Sequence, residues 1–330
     1  MRPRELMVVA VLLALAGVLF VTALATGGFR IEVPAVLDVL AGHGTRRNTF
    51  VIMDVRLPRV LCGLLAGAAF GLSGALFQAL VDNPLASPDI IGVTMGASAA
   101  AVVCTVLLGL SGAVVPVAAF AGALATAALI HLLSWRRGVT GYRLVLVGIG
   151  VGAVLSAVVS YLMSKADVTS ARQALVWLTG SLNARTPAHL WPLIVALVVL
   201  VPVALLFSRG LRTLALGQDT ARALGARVEL IRLGVLVTAV ALAAVATSSA
   251  GPVPFVAFVA GPIARGLLRG RGLALIPAAL TGAVVMVAAD LTGQHLLADR
   301  VLPVGVITGA VGAPFLLWQL AATNRTGRGG

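Results

Sequence analysis

Long apolar runs alternate with short polar segments along almost the whole chain. Each run holds about 20 mainly apolar residues, the length that a helix needs to cross the hydrocarbon core of a bilayer. The pattern predicts ten membrane-spanning helices, at residues 6–26, 59–80, 90–110, 113–135, 142–164, 190–207, 233–250, 253–268, 273–291 and 303–321. The eighth run is short and is interrupted by Pro254, Gly261 and Pro262, so its ends are the least sharply defined. We therefore predict an all-α membrane protein in which residues 1–330 form a single transmembrane domain.

The first apolar run has a basic start, which is also a feature of secretory signal peptides. Residues 6–25 are too long for the apolar core of a typical signal peptide, and the later runs are equally apolar. We interpret the run as a retained membrane helix.

The composition supports a membrane protein and excludes two other classes. Hydrophobic residues make up 60% of the chain and charged residues 11%, whereas a soluble domain carries about 25% charged residues. Such hydrophobicity also excludes intrinsic disorder. The net charge of +13 would suit nucleic acid, but the basic residues are scattered between apolar blocks rather than gathered on one face. We expect membrane lipid, and no nucleic acid, as a partner.

The distribution of basic residues predicts the orientation of the chain. With the N-terminus in the cytoplasm, fifteen of the 24 basic residues fall in cytoplasmic segments, as the positive-inside rule requires. An even number of spans then places both termini in the cytoplasm of a multi-pass plasma-membrane protein. Nine basic residues remain outside and need an explanation: Arg30, Arg46, Arg47, Arg56, Arg59, Lys165, Arg172, Arg185 and Arg300.

The chain lacks the residues for several kinds of chemistry. Its one lysine, Lys165, follows Ser164, so no phosphate-binding loop with a Gly-Lys-Ser/Thr sequence is present. If ATP energises this protein, another chain binds it. Cys62 and Cys104 lie inside apolar runs, where buried thiols are expected, and no disulfide or metal site is predicted.

Two membrane-embedded activities are alternatives to a conduit. Gly71-Leu72-Ser73-Gly74 matches the short G-x-S-G pattern of intramembrane serine proteases, but the histidines are not placed to serve as its base. A secondary transporter would carry acidic residues at mid-membrane for its coupling ion. Asp290, near the outer end of the ninth span, is the one acidic residue at depth. Interface solvation or an arginine partner explains it better than an ion site.

Small residues mark the second span and a short helix marks the longest cytoplasmic loop. Gly63, Gly67, Gly71 and Gly74 form a stripe that permits close approach of another helix. In the loop 208–232, Asp219 is a suitable N-cap and Gly225 a suitable C-terminal cap. We predict a short surface helix between them that exposes Ala221 and Leu224 to the cytoplasm.

An ordered set of motifs spans almost the whole chain, and together they resemble the permease subunits of iron-siderophore and cobalamin ABC importers, the FecCD type. The motifs are Arg56-Leu57-Pro58-Arg59, Gln78 followed by Asn83-Pro84-Leu85-Ala86-Ser87-Pro88, Leu216 to Gly225, Phe255 to Arg265, Ala289-Asp290, and Leu302-Pro303-Val304-Gly305 through Gly312-Ala313-Pro314. Their order and spacing make the resemblance specific.

The resemblance implies the type II ABC importer permease fold and a set of partners. Two ten-helix permeases would surround a central pathway, with two ATPase subunits on the cytoplasmic side and a substrate-binding protein outside. The chain itself would be no enzyme and would bind no cofactor directly; ATP would act through the partner subunit. The substrate implied is an iron-siderophore complex, with cobalamin or haem as the alternative.

The resemblance also assigns roles to individual residues. The loop 208–232 would couple to the ATPase, through Gly217, Asp219, Ala221, Leu224 and Gly225. External arginines would dock the binding protein, namely Arg56, Arg59 and Arg300. Cytoplasmic gates would lie at Asn83 and Leu85 and at Thr140 and Gly141. One departure is Gly261-Pro262, where the family commonly has Pro-His. It favours a heterodimer of two different permeases and a catecholate siderophore.

Overall fold

The structure is a computed structural model that describes residues 3–89, 92–135, 141–270, 272–297 and 301–326. Throughout these ranges the regular elements are helical. Fourteen α-helices follow one another, at α1 Pro3–Ala25, α2 Val33–Leu40, α3 Arg46–Thr49, α4 Leu57–Val81, α5 Val93–Val102, α6 Val114–Ser134, α7 Gly141–Lys165, α8 Val168–Leu178, α9 Pro187–Leu214, α10 Gln218–Ala223, α11 Val228–Ala250, α12 Val256–Leu267, α13 Leu275–His295 and α14 Val304–Thr326. Two π-helical segments, Phe50–Arg56 and Val103–Leu107, continue α3 into α4 and extend α5.

The described helices agree with the predicted membrane spans. Eight of them are long and apolar enough to cross a bilayer, and the second of these runs without a break over Arg46–Val81. The third and eighth predicted spans coincide with the shorter apolar helices Val93–Leu107 and Val256–Leu267. At 1.5 Å per residue, α12 is about 18 Å long and reaches little more than half-way through a bilayer core. The short helices α2 and α8 were not predicted.

Helix α4 is the centre of the bundle, surrounded by α13, α11 and α12. The glycine stripe makes this packing possible, as the sequence predicted. A Cβ atom on Gly67 would lie 2.5 Å from the carbonyl oxygen of Gly282 and 2.7 Å from Cβ of Met286. Gly71 and Gly74 meet the backbones of α13 and α12 in the same way. The backbones of three helices therefore touch where α4 has no side chains.

The bundle has two ends, which we name after residues that lie there. The Arg59 end holds the first turn of α4 and the last two turns of α13, because Arg59 contacts Asp290. The Asn83 end holds the last turn of α4. The first turn of α1 lies there too, since Nε of Arg4 donates to the carbonyl oxygen of Leu267 at the end of α12. Helix α14 starts at the Arg59 end, where the N–H of Gly305 donates to the carbonyl oxygen of Gly180, and runs towards the Asn83 end. The described part of α1 therefore begins, and that of α14 ends, at the Asn83 end.

A buried non-helical segment separates α11 from α12. Gly251 has a φ of 78° and Phe255 a φ of 67°, so two left-handed residues bracket the break. The backbone of Ser181 donates to the carbonyl oxygen of Ala250 at 2.9 Å, and Gly180 packs closely on the carbonyl of Pro252. Non-helical backbone at membrane depth is tolerated where protein encloses it, and here residues 179–183 and the start of α14 enclose it.

Candidate functional site at the two ends of the bundle

The predicted short helix at the Asn83 end exists as α10, but it begins differently from the prediction. Gly217, with a φ of 97°, occupies the N-cap position and provides no side-chain hydrogen bond. Asp219 lies inside the first turn and is not the N-cap. It stands 3.4 Å from Arg222, one turn later, and its charge favours the positive end of the helix.

The end of α10 follows the sequence prediction closely. Gly225 has a φ of 79° and directly follows Leu224, the C-cap residue. The N–H of Gly225 donates to the carbonyl of Arg222, and the N–H of Ala226 donates to the carbonyl of Ala221. This pair of bonds is the Schellman arrangement, in which a glycine reverses the chain and satisfies the last carbonyls of the helix.

Ala221 of α10 and its C-cap residue Leu224 differ sharply in burial, which corrects the prediction for one of them. Ala221 is fully buried against the protein, because α10 lies on the ends of α9 and α11. Leu224 is 65% exposed, and Leu216 just before α10 is 62% exposed. A partner at this end would therefore meet the leucines, whereas Ala221 fixes α10 to its own chain.

The predicted gate residues lie in a turn and at a helix start. Asp82, with a φ of 53°, ends α4, and Oδ1 of Asn83 accepts a hydrogen bond of 2.9 Å from the N–H of Leu85. Gly141 is the first residue of α7, and Thr140 lies outside the described residues. Leu80 of α4 and Leu144 of α7 line one small cavity. The structure brings both segments to the Asn83 end, and their gating role stays a prediction.

Asp89 is a feature of this end that the sequence did not single out. Its Oδ1 atom is buried and has no hydrogen-bond partner among the described residues, while the Ser87 hydroxyl donates to Oδ2 at 3.3 Å. Burial raises the pKa of the Asp89 carboxyl to about 7, and the bond from Ser87 offsets this in part. A carboxyl that titrates near neutral pH thus lies in the connection between α4 and α5.

A polar contact joins α4 to α12 at the same end and accounts for Gly261. Nη2 of Arg265 donates to Oε1 of Gln78 at 2.8 Å, and Nε2 of Gln78 donates to the carbonyl of Phe258 at 3.0 Å. A Cβ atom on Gly261 would collide with Oε1 of Gln78. The Gln78 amide therefore requires a residue without a side chain at position 261, where the family commonly has proline.

At the Arg59 end, the first predicted docking arginine is a buried structural residue. Arg56 is 8% exposed, and its guanidinium donates to the carbonyls of Leu24 and Phe29. These carbonyls belong to the last turn of α1 and the segment after it, where free acceptors attract a cation. Arg56 is thus held inward in this conformation, and its docking role stays a prediction.

The second docking arginine has a partner inside the chain. Nε and Nη2 of Arg59 donate to the two carboxylate oxygens of Asp290, each at 2.9 Å. Gln294 donates to the same carboxylate at 2.8 Å, and Nη1 of Arg59 lies 3.5 Å from Oδ1 of Asn183. The arginine partner expected for Asp290 is thereby confirmed. Arg300 lies outside the described residues, so the docking role of this group stays a prediction.

The serine of the G-x-S-G pattern has a packing role. Ser73 is fully buried, and its hydroxyl donates to the carbonyl of Ala239 in α11. Cys62 and Cys104 are buried free thiols, as predicted. Among the described residues, no three His, Cys, Asp or Glu side chains converge as a metal site would require.

Sequence comparison shows which known proteins this chain resembles. The sequence model of the FecCD transport family matches residues 10–322. The ferric enterobactin transport system permease protein FepG of Escherichia coli is 41% identical over 323 residues, which is 98% of each chain. The iron(3+)-hydroxamate import system permease protein FhuG of Bacillus subtilis is 35% identical over 97% of this chain and 98% of that protein.

A solved structure extends the comparison to the fold. It is described as an inward-facing conformation of a transporter assigned to the metal-chelate type of ABC transporters. The two chains superpose with a TM-score of 0.84 at 27% identity, over 94% of this chain and 97% of the other.

Proposed function

The chain belongs to the FecCD transport family, and we propose that it is the permease subunit of an ABC importer that moves a ferric siderophore across the plasma membrane. The observation that carries the proposal is the 41% identity to a ferric enterobactin permease over 98% of both chains. The names of the two relatives favour iron chelates over cobalamin or haem. A catecholate chelate, the kind that enterobactin is, fits best.

The Asn83 end is proposed as the cytoplasmic end, where an ATPase subunit docks. Helix α10 supports this, because it presents Leu216 and Leu224 beside charged residues on a framework that its own caps hold rigid. Exposed apolar residues with a polar surround suit a groove on a partner protein. Arg222 and Glu229, 3.9 Å apart, belong to that surround. ATP hydrolysis in the partner would then move α9 and α11, on which α10 rests.

The Arg59 end is proposed as the outer end, where a substrate-binding protein docks. Arg46 and Arg47 are exposed there, and the Arg47 guanidinium lies 4.1 Å over the ring of Phe29. Such charges would attract carboxylates on the binding protein and steer its approach. Arg59 would join them only if the pair with Asp290 loosens, and Arg300 is proposed from the family resemblance. Arg56 would act indirectly by holding the end of α1 in place.

A second, different permease chain is proposed as the partner that completes the pathway. The support is the sequence Gly261-Pro262, where the family commonly has Pro-His, and the close packing of Gly261 against the Gln78 side chain. These features would make the cytoplasmic end of this chain different from that of a typical family member. If two different chains pair, each can carry a different half of an asymmetric pathway.

Reconstituted transport tests the proposal. The chain, its ATPase, its binding protein and the second permease are placed in liposomes, and uptake of iron-55 catecholate siderophore is measured with and without internal ATP. We expect uptake that requires all components and ATP, and that excess unlabelled cobalamin does not reduce. Uptake driven by a proton gradient without ATP would instead identify a secondary transporter. Preference for cobalamin or haem would retain the permease and change its substrate.

A further inference from the structure

A cavity of about 440 Å³ opens beside α8 at the Arg59 end. It lies between α8, the start of α9 and the connection from α5 to α6. Its walls combine polar and apolar residues: Thr105, Leu110, Ser111, Gly112, Val115, Pro116, Arg172, Gln173, Val176, Trp177, Arg185 and His189. The volume is that of an ordinary small-ligand site.

The polar part of the wall is rich in N–H donors and positive charge. Nε and Nη2 of Arg185 donate to the carbonyl of Ser181 at 3.0 and 2.7 Å, which leaves donors on Nη1. The N–H of Thr186 donates to Nδ1 of His189 at 3.4 Å. Arg172 is exposed, and none of the described lining residues is acidic.

Trp177 adds a further N–H donor close to this wall. It lines the cavity, and its indole Nε1 is buried without a hydrogen-bond partner among the described residues. A buried indole N–H normally has an acceptor. A wall of donors beside an unsatisfied donor selects a ligand made of acceptors, and an oxyanion is the simplest such group.

The rest of the wall indicates what carries the oxyanion. Leu110, Val115, Pro116 and Val176 are apolar, and Leu107 and Leu108 close by are exposed on the bundle surface. A ligand that fits both halves has a charged head and a hydrocarbon body. We propose that this cavity binds the phosphate of an anionic membrane phospholipid, with Arg172 and Arg185 at the phosphate and the acyl chains along the apolar wall.

Tryptophan fluorescence of the full-length chain tests the proposal. The variant Trp135→Phe, Trp191→Phe, Trp318→Phe retains Trp177 as its one tryptophan, and the three replaced side chains are more than half exposed. The purified variant, in uncharged detergent, is titrated with phosphatidylglycerol that carries brominated acyl chains. Brominated diacylglycerol, which lacks the phosphate, is the matched control ligand. We expect saturable quenching by the phospholipid and at least about tenfold weaker binding of diacylglycerol, because a hydrogen bond to a charged group contributes that much.

Variants locate the effect in the cavity. Arg172→Gln, at an exposed position, should weaken phospholipid binding about tenfold, whereas Arg47→Gln, at the same end but outside the cavity, should not. Arg185→Gln should weaken it further, provided that its elution profile shows a folded protein. Equal quenching by both lipids, or equal affinity of the Arg172→Gln and Arg47→Gln variants, overturns the proposal. A response that appears only after the binding protein is added also overturns it.

Competition with inorganic phosphate separates two sources of the oxyanion. If millimolar phosphate relieves the quenching, the site accepts soluble oxyanions as well as lipid. If it does not, the apolar wall is required and the ligand is the membrane lipid. Both results retain an oxyanion site at Arg172 and Arg185.

Discussion

Arg59 and Asp290, 231 residues apart in the chain, form a two-pronged ion pair that ties the first turn of α4 to the last two turns of α13. The side chain of Asp290 is 5% exposed and that of Arg59 15% exposed. Removing one member of a buried pair leaves an uncompensated charge, which costs about 3–5 kcal/mol. The pair therefore holds the Arg59 end of the bundle together.

A double-mutant cycle measures this coupling. We expect Arg59→Gln and Asp290→Asn each to lower the thermal stability of the purified protein strongly, and the double variant to lose less than the sum of the two. Arg46→Gln, at an exposed arginine of the same end, should change stability by less than about 0.5 kcal/mol. Additive losses would show that the two side chains do not interact. Asp290→Asn also frees Arg59, so tighter docking of the binding protein in that variant would support a direct docking role for Arg59.

The glycine stripe of α4 should not tolerate the addition of even one methyl group. Gly67→Ala would place a Cβ 2.5 Å from the carbonyl oxygen of Gly282, and such overpacking costs about 1–3 kcal/mol. Gly17→Ala is the matched control, because nothing lies within 4 Å of its Cβ position in α1. That change should stabilise the helix by up to about 1 kcal/mol. Thermal unfolding of both variants in detergent checks the difference, and equal stability would contradict the close approach of α4 and α13.

Leu224 should be a contact for the ATPase. Leu224→Gln removes an exposed apolar side chain from the end of α10, so we expect weaker co-purification of the ATPase and slower transport with no loss of thermal stability. Leu37, at the opposite end, has a similarly exposed side chain (56% against 65% for Leu224). Leu37→Gln should leave ATPase binding unchanged. Ala221→Glu should behave differently from both, because its buried charge would detach α10 from α9 and lower stability. Full ATPase binding by the Leu224→Gln variant would place the docking surface elsewhere.

Gly225 should be required for its backbone conformation alone. Its φ of 79° is left-handed, and nothing lies within 4 Å of its Cβ position, so only strain opposes a side chain. Gly225→Ala should cost about 1–2 kcal/mol and impair coupling, whereas Gly225→Asn should be milder because asparagine enters this region more readily. ATP-dependent uptake by the two variants tests the order. If alanine and asparagine are equally damaging, the strain explanation fails.

Asp89 should make stability depend on pH near neutrality. The ordinary pKa of aspartate is about 3.9, and burial raises that of Asp89 to about 7. Between these values the folded protein holds a proton that the unfolded chain has released, so stability falls as the pH rises from about 4 to about 7. Asp89→Asn cannot ionise, and we expect it to raise the melting temperature at pH 8 and to have little effect at pH 4.

Asp82→Asn provides the control in the same connection, since Asp82 is exposed and asparagine accepts its left-handed backbone. That variant retains Asp89, so its melting temperature should fall with pH in parallel with that of the unaltered protein. A melting temperature of Asp89→Asn that stays parallel to that of the unaltered protein from pH 4 to pH 8 would mean that the carboxyl is ionised throughout.

Apolar run length predicted the membrane spans, because burying about 20 apolar residues in lipid dominates every local preference. The glycine stripe and the cap at Gly225 were also predictable, since each reflects a steric property of glycine. The exposed face of α10 could not be predicted from the sequence. In a helix of six residues, both Ala221 and Leu224 fit an apolar stripe, and only the position of α9 and α11 decides which of them is covered. The partners of Arg56 and Arg59 likewise come from distant parts of the chain.

The shortness of α12 has a consequence for the biogenesis of the protein. Its twelve residues and the non-helical segment before them hold too little apolar helix to partition into a bilayer unaided. The segment should therefore stay outside the lipid during synthesis until α13 has emerged and can close over it together with α4. Single cysteines placed in α12 of nascent chains of increasing length would reveal this order. We expect them to react with a water-soluble thiol reagent in chains that end before Leu275, and to be protected in chains that extend past His295.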